Sequence, residues 1–110
     1  SNGSAEWEIT PQELNQRLGR GEKLFILDVR EPHEYDICRL QGSHLIPLGD
    51  VPKRLDELKG AGEIIVHCKM GGRSAKAVDF LRQAGFQKLK NLKGGIDAWA
   101  QVVDPTMPRY

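Results

Sequence analysis

The chain has 110 residues, 39% of them hydrophobic and 28% charged, with a net charge of +1. That length suits one hydrophobic core and is too short for two. The balance of 16 basic against 15 acidic residues leaves no electrostatic footprint for nucleic acid or an anionic membrane, and no apolar run approaches the roughly 20 residues of a membrane span.

The chain opens "SNGS", with no initiator Met and no signal-peptide pattern. Residues 1–5 are therefore read as a vector-derived remnant or a disordered end, on a domain cut from a longer protein. The folded domain is expected over 6–103, with an irregular tail over 104–110. "ITPQEL" predicts a short strand running into a helix. Thr10 is the N-cap, Pro11 takes the first helical position and Glu13 completes a capping box. Leu14 and Leu18 share one helix face, and Gly19 and Gly21 end it. "KLFILDV", residues 23–29, is a continuous apolar run of strand length, as a strand buried on both faces requires. "EPHEYDI" predicts a short helix with an early proline, and "SHLIPL" a short apolar run broken by Pro47.

Further along, "GDVPKRLDELKG" places Val51, Leu55 and Leu58 at helical spacing, with Asp50 as cap. "EIIVH", residues 63–67, is the next buried strand. "SAKAVDFLRQAG" carries Ala77, Phe80, Leu81 and Ala84 on one predicted helix face, with Gly85 as the stop. "KLKNL" reads as a strand, and Gly94-Gly95 lead into the helix "IDAWAQVV". Strands alternating with helices predict an α/β domain with a largely parallel central sheet and helices on both faces. In such sheets the chemistry gathers at the carboxyl ends of the strands.

Two cysteines, Cys38 and Cys68, are too few for a disulfide framework, and no Cys/His cluster suggests a metal. They read as reduced thiols in a cytoplasmic protein; a Cys38–Cys68 bridge is the alternative. Cys68 directly follows the strand "EIIVH", and Ser74 reads as the N-cap of the next helix. A strand, a glycine-containing loop and a helix start together form an anion cradle of backbone N–H groups, to which the helix dipole adds positive charge. Gly71 and Gly72 supply permissive backbone angles, while Lys69 and Arg73 add formal charge. A thiol held there has a lowered pKa and is suited to nucleophilic catalysis. An isolated cysteine would instead be read as buried and inert.

Loop length separates the chemistries. Tyrosine phosphatases place five residues between the cysteine and the arginine of their His-Cys…Arg-Ser motif. Here His67-Cys68 and Arg73-Ser74 enclose four, Lys69, Met70, Gly71 and Gly72. A tighter ring favours one added sulfur over a tetrahedral phosphate. This spacing resembles the rhodanese family, whose cysteine carries sulfane sulfur as a persulfide. "LDVREPHEY" (27–35) resembles the segment that precedes that family's active loop and "LKGGIDAW" (92–99) its closing motif, so the likeness runs from Ile9 to Trp99. "CRLQGSHLIPL" and the ending "DPTMPRY" are similar to the C-terminal rhodanese domain of MoeB/ThiF-type adenylyltransferase–sulfurtransferases.

The resemblance implies a rhodanese-like three-layer sandwich of about five strands acting as a sulfurtransferase. Cys68 takes sulfur from thiosulfate or a cysteine-desulfurase persulfide, and the loop Lys69, Met70, Gly71, Gly72, Arg73 and Ser74 binds the substrate. No metal or organic cofactor is implied. The finer likeness implies a ubiquitin-like sulfur-carrier protein as acceptor and a fused adenylyltransferase domain, in molybdopterin, thiamine or tRNA-thiolation pathways. It also implies that Asp28 and Arg30 lie under or beside the loop, holding its shape. Arg73 either contacts an incoming anion or pins the loop. Cys38 stands where the family usually has glycine and reads as a semi-buried small residue. His67 reads as an interior strand side chain rather than a base, His33 and His44 as surface or packing residues, and Trp7 and Trp99 as packing. A phosphatase or arsenate reductase on the same architecture is the rival enzyme, and a non-catalytic interaction module the rival from another class.

Overall fold

A computed structural model of the chain describes residues 5–110, so residues 1–4 of the opening stretch lie outside the described residues. The first helix, α1 (Pro11–Gly19), begins on the expected capping box. Thr10 Oγ1 accepts the Glu13 N–H at 3.1 Å, and Glu13 Oε1 accepts the Thr10 N–H at 2.9 Å. Leu14 on this helix is wholly buried, a contribution of about 2 kcal/mol.

Among the described residues, five strands form one sheet: β1 (Glu8–Ile9), β2 (Phe25–Asp28), β3 (His44–Leu45), β4 (Ile64–His67) and β5 (Leu89–Leu92). All pair in parallel, in the order β1-β5-β4-β2-β3. Parallel strands are covered on both faces, which is why Phe25–Leu27 and Ile64–Val66 appear in the sequence as unbroken apolar runs, each followed by one buried polar residue, Asp28 or His67. One face packs α3 (Gly72–Gln83) and the segment around Val51 and Leu58 against Leu27, Ile64, Val66 and Leu89. The other packs α1 and α4 (Gly95–Val102) against Ile26 and Ile65, with Trp99 in that core. The short helix α2 (Pro32–Ile37) follows β2 and ends at Cys38.

Three local expectations change. The 50–60 stretch is not an α-helix; it forms 3-10 helices at Leu48–Lys53 and Leu55–Glu57, with Asp50 inside the first rather than capping it. Pro52 lies within it and cannot donate to the i−4 carbonyl, so shorter i→i−3 bonds close the turns. Val51 and Leu58 still reach the core. Helix α3 starts at Gly72, with Gly71 as N-cap at φ 116°, so Ser74 is not the cap. Its buried face is Ser74, Ala77, Val78 and Leu81, while Phe80 and Ala84 are exposed. Starting the helix earlier brings a serine hydroxyl inward, toward the end of β4.

Trp7 is half-buried beneath the Arg82 guanidinium. His33 is exposed, and exposed His44 stacks on Phe25 with ring centroids 4.3 Å apart. No helix among the described residues is long and apolar enough to cross a membrane. Residues 104–110 form no helix or strand, yet they are not loose: Asp104 Oδ1 accepts both the Thr106 hydroxyl and its N–H, and Arg109 pairs with Asp97 of α4 at 3.1 Å.

A candidate thiolate site at the end of β4

Cys68 leaves the carboxyl end of β4, the central strand of the sheet, and is only 1% exposed. The chain then turns through Lys69, Met70 and Gly71 into α3. Gly71 N–H donates to Cys68 Sγ at 3.0 Å, a bond that its positive φ makes possible. The Ser74 hydroxyl lies 3.3 Å from the same sulfur. Burial pushes the thiol up, but the Ser74 hydroxyl and the N–H groups of Ser74, Gly71 and Met70 outweigh it. The net effect holds Cys68 below its ordinary value.

Asn91, buried on β5, closes this ring. Its Nδ2 donates to the Gly71 carbonyl at 3.2 Å, which turns its Oδ1 toward Ser74; that oxygen accepts the Ser74 hydroxyl at 2.6 Å. Ser74 has one proton and two claimants. With a neutral thiol, the S–H donates to Ser74 Oγ, which donates to Asn91. When the sulfur ionises, the hydroxyl turns its proton to the thiolate.

The loop's outward carbonyls are met by the start of α4. Ile96 N–H donates to Cys68 O and Asp97 N–H to Lys69 O, each at 3.0 Å. Gly95 allows this approach: a Cβ there would lie 2.2 Å from Lys69 O. His67 is fully buried, and its Nδ1 donates to Cys68 O at 3.1 Å. Burial lowers its pKa and keeps it neutral, its Nε2 is unpartnered, and neither ring nitrogen bonds the sulfur.

The Arg73 guanidinium is bonded to a carboxylate rather than to the sulfur: it makes a two-pronged bond to Glu34 of α2, at 2.7 and 3.0 Å. Arg73 first of all, and then Glu31 N–H and the Tyr110 hydroxyl, outweigh burial and hold the Glu34 carboxyl well below the usual carboxylate range. Met70, 64% exposed, and half-buried Lys69 form the outer lip of the loop. Asp28 and Arg30 are both wholly buried and paired at 2.7 Å. None of the Arg30 bonds goes to residues 68–74. They reach Asp28, the Glu34 and Cys38 carbonyls and the Tyr110 hydroxyl. Arg30 therefore fixes α2 and, through it, the Glu34 that holds Arg73. Cys38 lies 3.9 Å from Arg30 Nη1 in the core on the α1/α4 side, and both cysteines are free thiols. No group of metal-ligating side chains occurs among the described residues.

Sequence reasoning did not single out Glu34, Asn91, Gly95 or Tyr110 for the site. Asn91 carried a usable signal: a polar residue two positions after Leu89, on the inward face at the carboxyl end of a strand. The others have no such local mark, because the contacts that tie them to the site come from distant parts of the chain: Arg73 on Glu34, Glu34 on Tyr110 and Lys69 against Gly95.

The fold and site define a parallel α/β domain that holds a thiol within a ring of loop N–H groups. The chain belongs to the rhodanese-like domain family, whose model matches residues 10–102. It is 41% identical over 104 residues to the probable adenylyltransferase/sulfurtransferase MoeZ of Mycobacterium tuberculosis, covering 93% of this chain and 26% of that protein. It is 33% identical over 94 residues to a sulfurtransferase of Allochromatium vinosum, covering 86% of this chain and 88% of that one. A rhodanese-related protein from Thermoplasma volcanium has the same fold, with a TM-score of 0.78 at 30% identity over 86% of this chain and 91% of the other. The chain spans about a quarter of the length of the MoeZ relative. The likeness to the rhodanese domain of adenylyltransferase–sulfurtransferases holds, and the family supports a role in sulfur transfer.

Proposed function

We propose that this domain is a persulfide-forming sulfurtransferase with Cys68 as its nucleophile. The observation that carries the reading is the placement of the Cys68 sulfur at the end of β4, where it accepts the Gly71 N–H at 3.0 Å and lies 3.3 Å from the Ser74 hydroxyl, with four residues between Cys68 and Arg73. The thiolate attacks the outer, sulfane sulfur of thiosulfate. A Cys68 S–S bond forms, the S–S bond of thiosulfate breaks, and sulfite leaves with the electron pair. An acceptor nucleophile then attacks the outer sulfur, and the Cys68 thiolate leaves. In both steps charge ends or begins on Sγ, so the Gly71 and Ser74 donors stabilise the form that attacks and the form that departs. A persulfide on a cysteine desulfurase replaces thiosulfate by the same displacement.

Lys69, Met70, Gly71 and Gly72 frame the entrance, and Arg73 and Ser74 complete the loop. Arg73 pins this loop through Glu34. Asp28 and Arg30 support it from behind α2. No metal or organic cofactor enters either step. The likeness to MoeZ supports, as a second kind of acceptor, the adenylated C-terminus of a ubiquitin-like sulfur carrier, activated by an adenylyltransferase domain of the same protein. With this acceptor the outer sulfur of the Cys68 persulfide is the nucleophile: it attacks the acyl carbon and AMP leaves. An external thiol then attacks Cys68 Sγ of the acyl disulfide and the thiocarboxylate leaves, and a second thiol frees Cys68 as the two thiols become a disulfide. A relative of Bacillus subtilis is described as a putative sulfur carrier protein, which points the same way. The two unbridged thiols suit a reducing, cytoplasmic setting.

Incubation with thiosulfate, followed by intact-mass measurement, tests the reading. Wild type gains one sulfur that cyanide removes, and Cys68→Ser gains none. No gain in wild type from either thiosulfate or a desulfurase persulfide overturns the activity; equal gain in the variant overturns Cys68. Turnover of an aryl phosphate would restore the phosphatase reading.

A further inference from the structure

The 104–110 segment returns across α4 and sets Tyr110 against the loop side of the molecule. The Tyr110 hydroxyl donates to Glu34 Oε2 at 2.6 Å and accepts from Arg30 Nη1 at 3.1 Å. Its ring lies 4.4 Å from the Lys69 ammonium, within cation–π distance. The neighbouring Arg109 is tied to Asp97, the residue whose N–H holds the Lys69 carbonyl. One residue thus touches a buried cation, the carboxylate that grips Arg73, and the first side chain of the loop.

We propose that Tyr110 is a positioning residue of the Cys68 loop, linking the buried Asp28–Arg30 pair to the Glu34–Arg73 pair and holding Lys69 to one side of the entrance. The proposal rests on the sulfur-transfer reading for its kinetic consequence but not for its geometry. Glu34 joins the two pairs. Its two oxygens accept four donors: two from Arg73, the Glu31 N–H and the Tyr110 hydroxyl. Removing the phenol frees one lone pair of a nearly buried carboxylate, which then shifts on Arg73. Arg73 directly precedes Ser74 and follows Gly71 by two residues, so a shift there disturbs the donors on Cys68 Sγ. The charged groups facing this cluster are Arg30 from β2's end, Glu34 from α2, Lys69 from the loop, Arg73 from the start of α3, Asp97 from α4 and, behind Arg30, Asp28 of β2. Of these, Tyr110 touches the first three. The phenol itself stays protonated, since burial and the Glu34 carboxylate push its pKa up.

Tyr110→Phe keeps the ring over Lys69 and deletes only the hydroxyl; Tyr110→Leu deletes both. In the full chain, iodoacetamide labelling of Cys68 is followed against pH by peptide mass, with Cys38 scored separately. Thiosulfate–cyanide kinetics and melting are measured beside it. In Tyr110→Phe the Cys68 labelling midpoint rises by about half a pH unit, roughly a threefold loss of thiolate below it. The kcat falls by a similar factor, with KM within about twofold. Tyr110→Leu adds a severalfold change in KM for thiosulfate as Lys69 loses its seat. A Tyr110→Phe midpoint within about 0.2 pH unit of wild type, with only the melting temperature lowered, overturns the proposal. If wild type takes up no sulfur, the activity reading fails while the labelling profile still decides the role of Tyr110.

Discussion

Two glycine pairs stand at the carboxyl ends of neighbouring strands, and they do opposite things. Gly71-Gly72 lead from β4 into α3, and Gly94-Gly95 lead from β5 into α4. Both helices are capped by a glycine with positive φ, and both helix starts present unpaired N–H groups. In the first pair, a loop N–H is aimed at a sulfur. In the second, two N–H groups are aimed at the carbonyls of the first loop. The second turn is a buttress for the first. The same local motif supplies an anion cradle or a strut, depending on what the sheet places opposite it.

The glycines within each pair also differ. Gly95 cannot hold a side chain, because its φ is +63° and a Cβ would meet Lys69 O at 2.2 Å and Cys68 O at 2.7 Å. Gly72 has no positive φ, and a Cβ there meets nothing within 4 Å. Steric demand is therefore greater in the strut than at the last glycine of the cradle.

The largest effect should come from breaking the strut. Gly95→Ala must move loop backbone rather than a side chain, and is expected to cost about 3 kcal/mol. Urea unfolding measures it, and a loss below about 1 kcal/mol would mean the two turns are not locked together.

The next test concerns an anchor that only the first turn possesses, the Glu34–Arg73 pair. Glu34→Gln should cost about 2 kcal/mol, less than a fully buried pair because the Arg73 side chain is 37% exposed. The carboxyl is depressed in the folded state, so its contribution is fully present above the ordinary value of 4.5 and is lost as pH falls through the folded value. Wild-type urea midpoints should drop below that pH, and Glu34→Gln should show a shallower drop. Parallel profiles would show that this anchor does not stabilise the loop.

A smaller change sharpens the cradle itself. Ser74→Ala removes a donor from the thiolate and leaves Asn91 Oδ1 unmet, and should raise the Cys68 alkylation midpoint by about one pH unit. An unchanged midpoint would leave the backbone N–H groups as the whole cradle. The smallest effect is expected at Gly72→Ala, a shift in urea stability of less than about 0.5 kcal/mol. A loss comparable to Gly95→Ala would erase the distinction between the two turns.

Much of this arrangement was readable from local pattern. The runs at 23–29 and 63–67, the Thr10–Glu13 box and the glycines before each helix act through neighbours a few residues away. For that reason the α/β order and the loop after Cys68 could be expected. The 50–60 stretch misled because helical spacing of Val51, Leu55 and Leu58 says nothing of the missing donor at Pro52. Ser74 misled in the other direction: serine is a good cap, but a glycine at φ 116° was available three residues earlier.

What the amino-acid order determined by itself is the spacing of Cys68 and Arg73, and the strand, turn and helix that bracket them. Covalent distance and backbone preference act within one chain segment, so they are present in the sequence. What tertiary structure decided is what surrounds that segment. It set Asn91 from β5 on the serine, Glu34 from α2 on Arg73, and the start of α4 under the loop. It also brought Tyr110 across 76 positions to Glu34. These contacts form only when the sheet order puts β5 beside β4 and the tail folds back over α4, because buried polar groups take their partners from whatever the packing brings within reach.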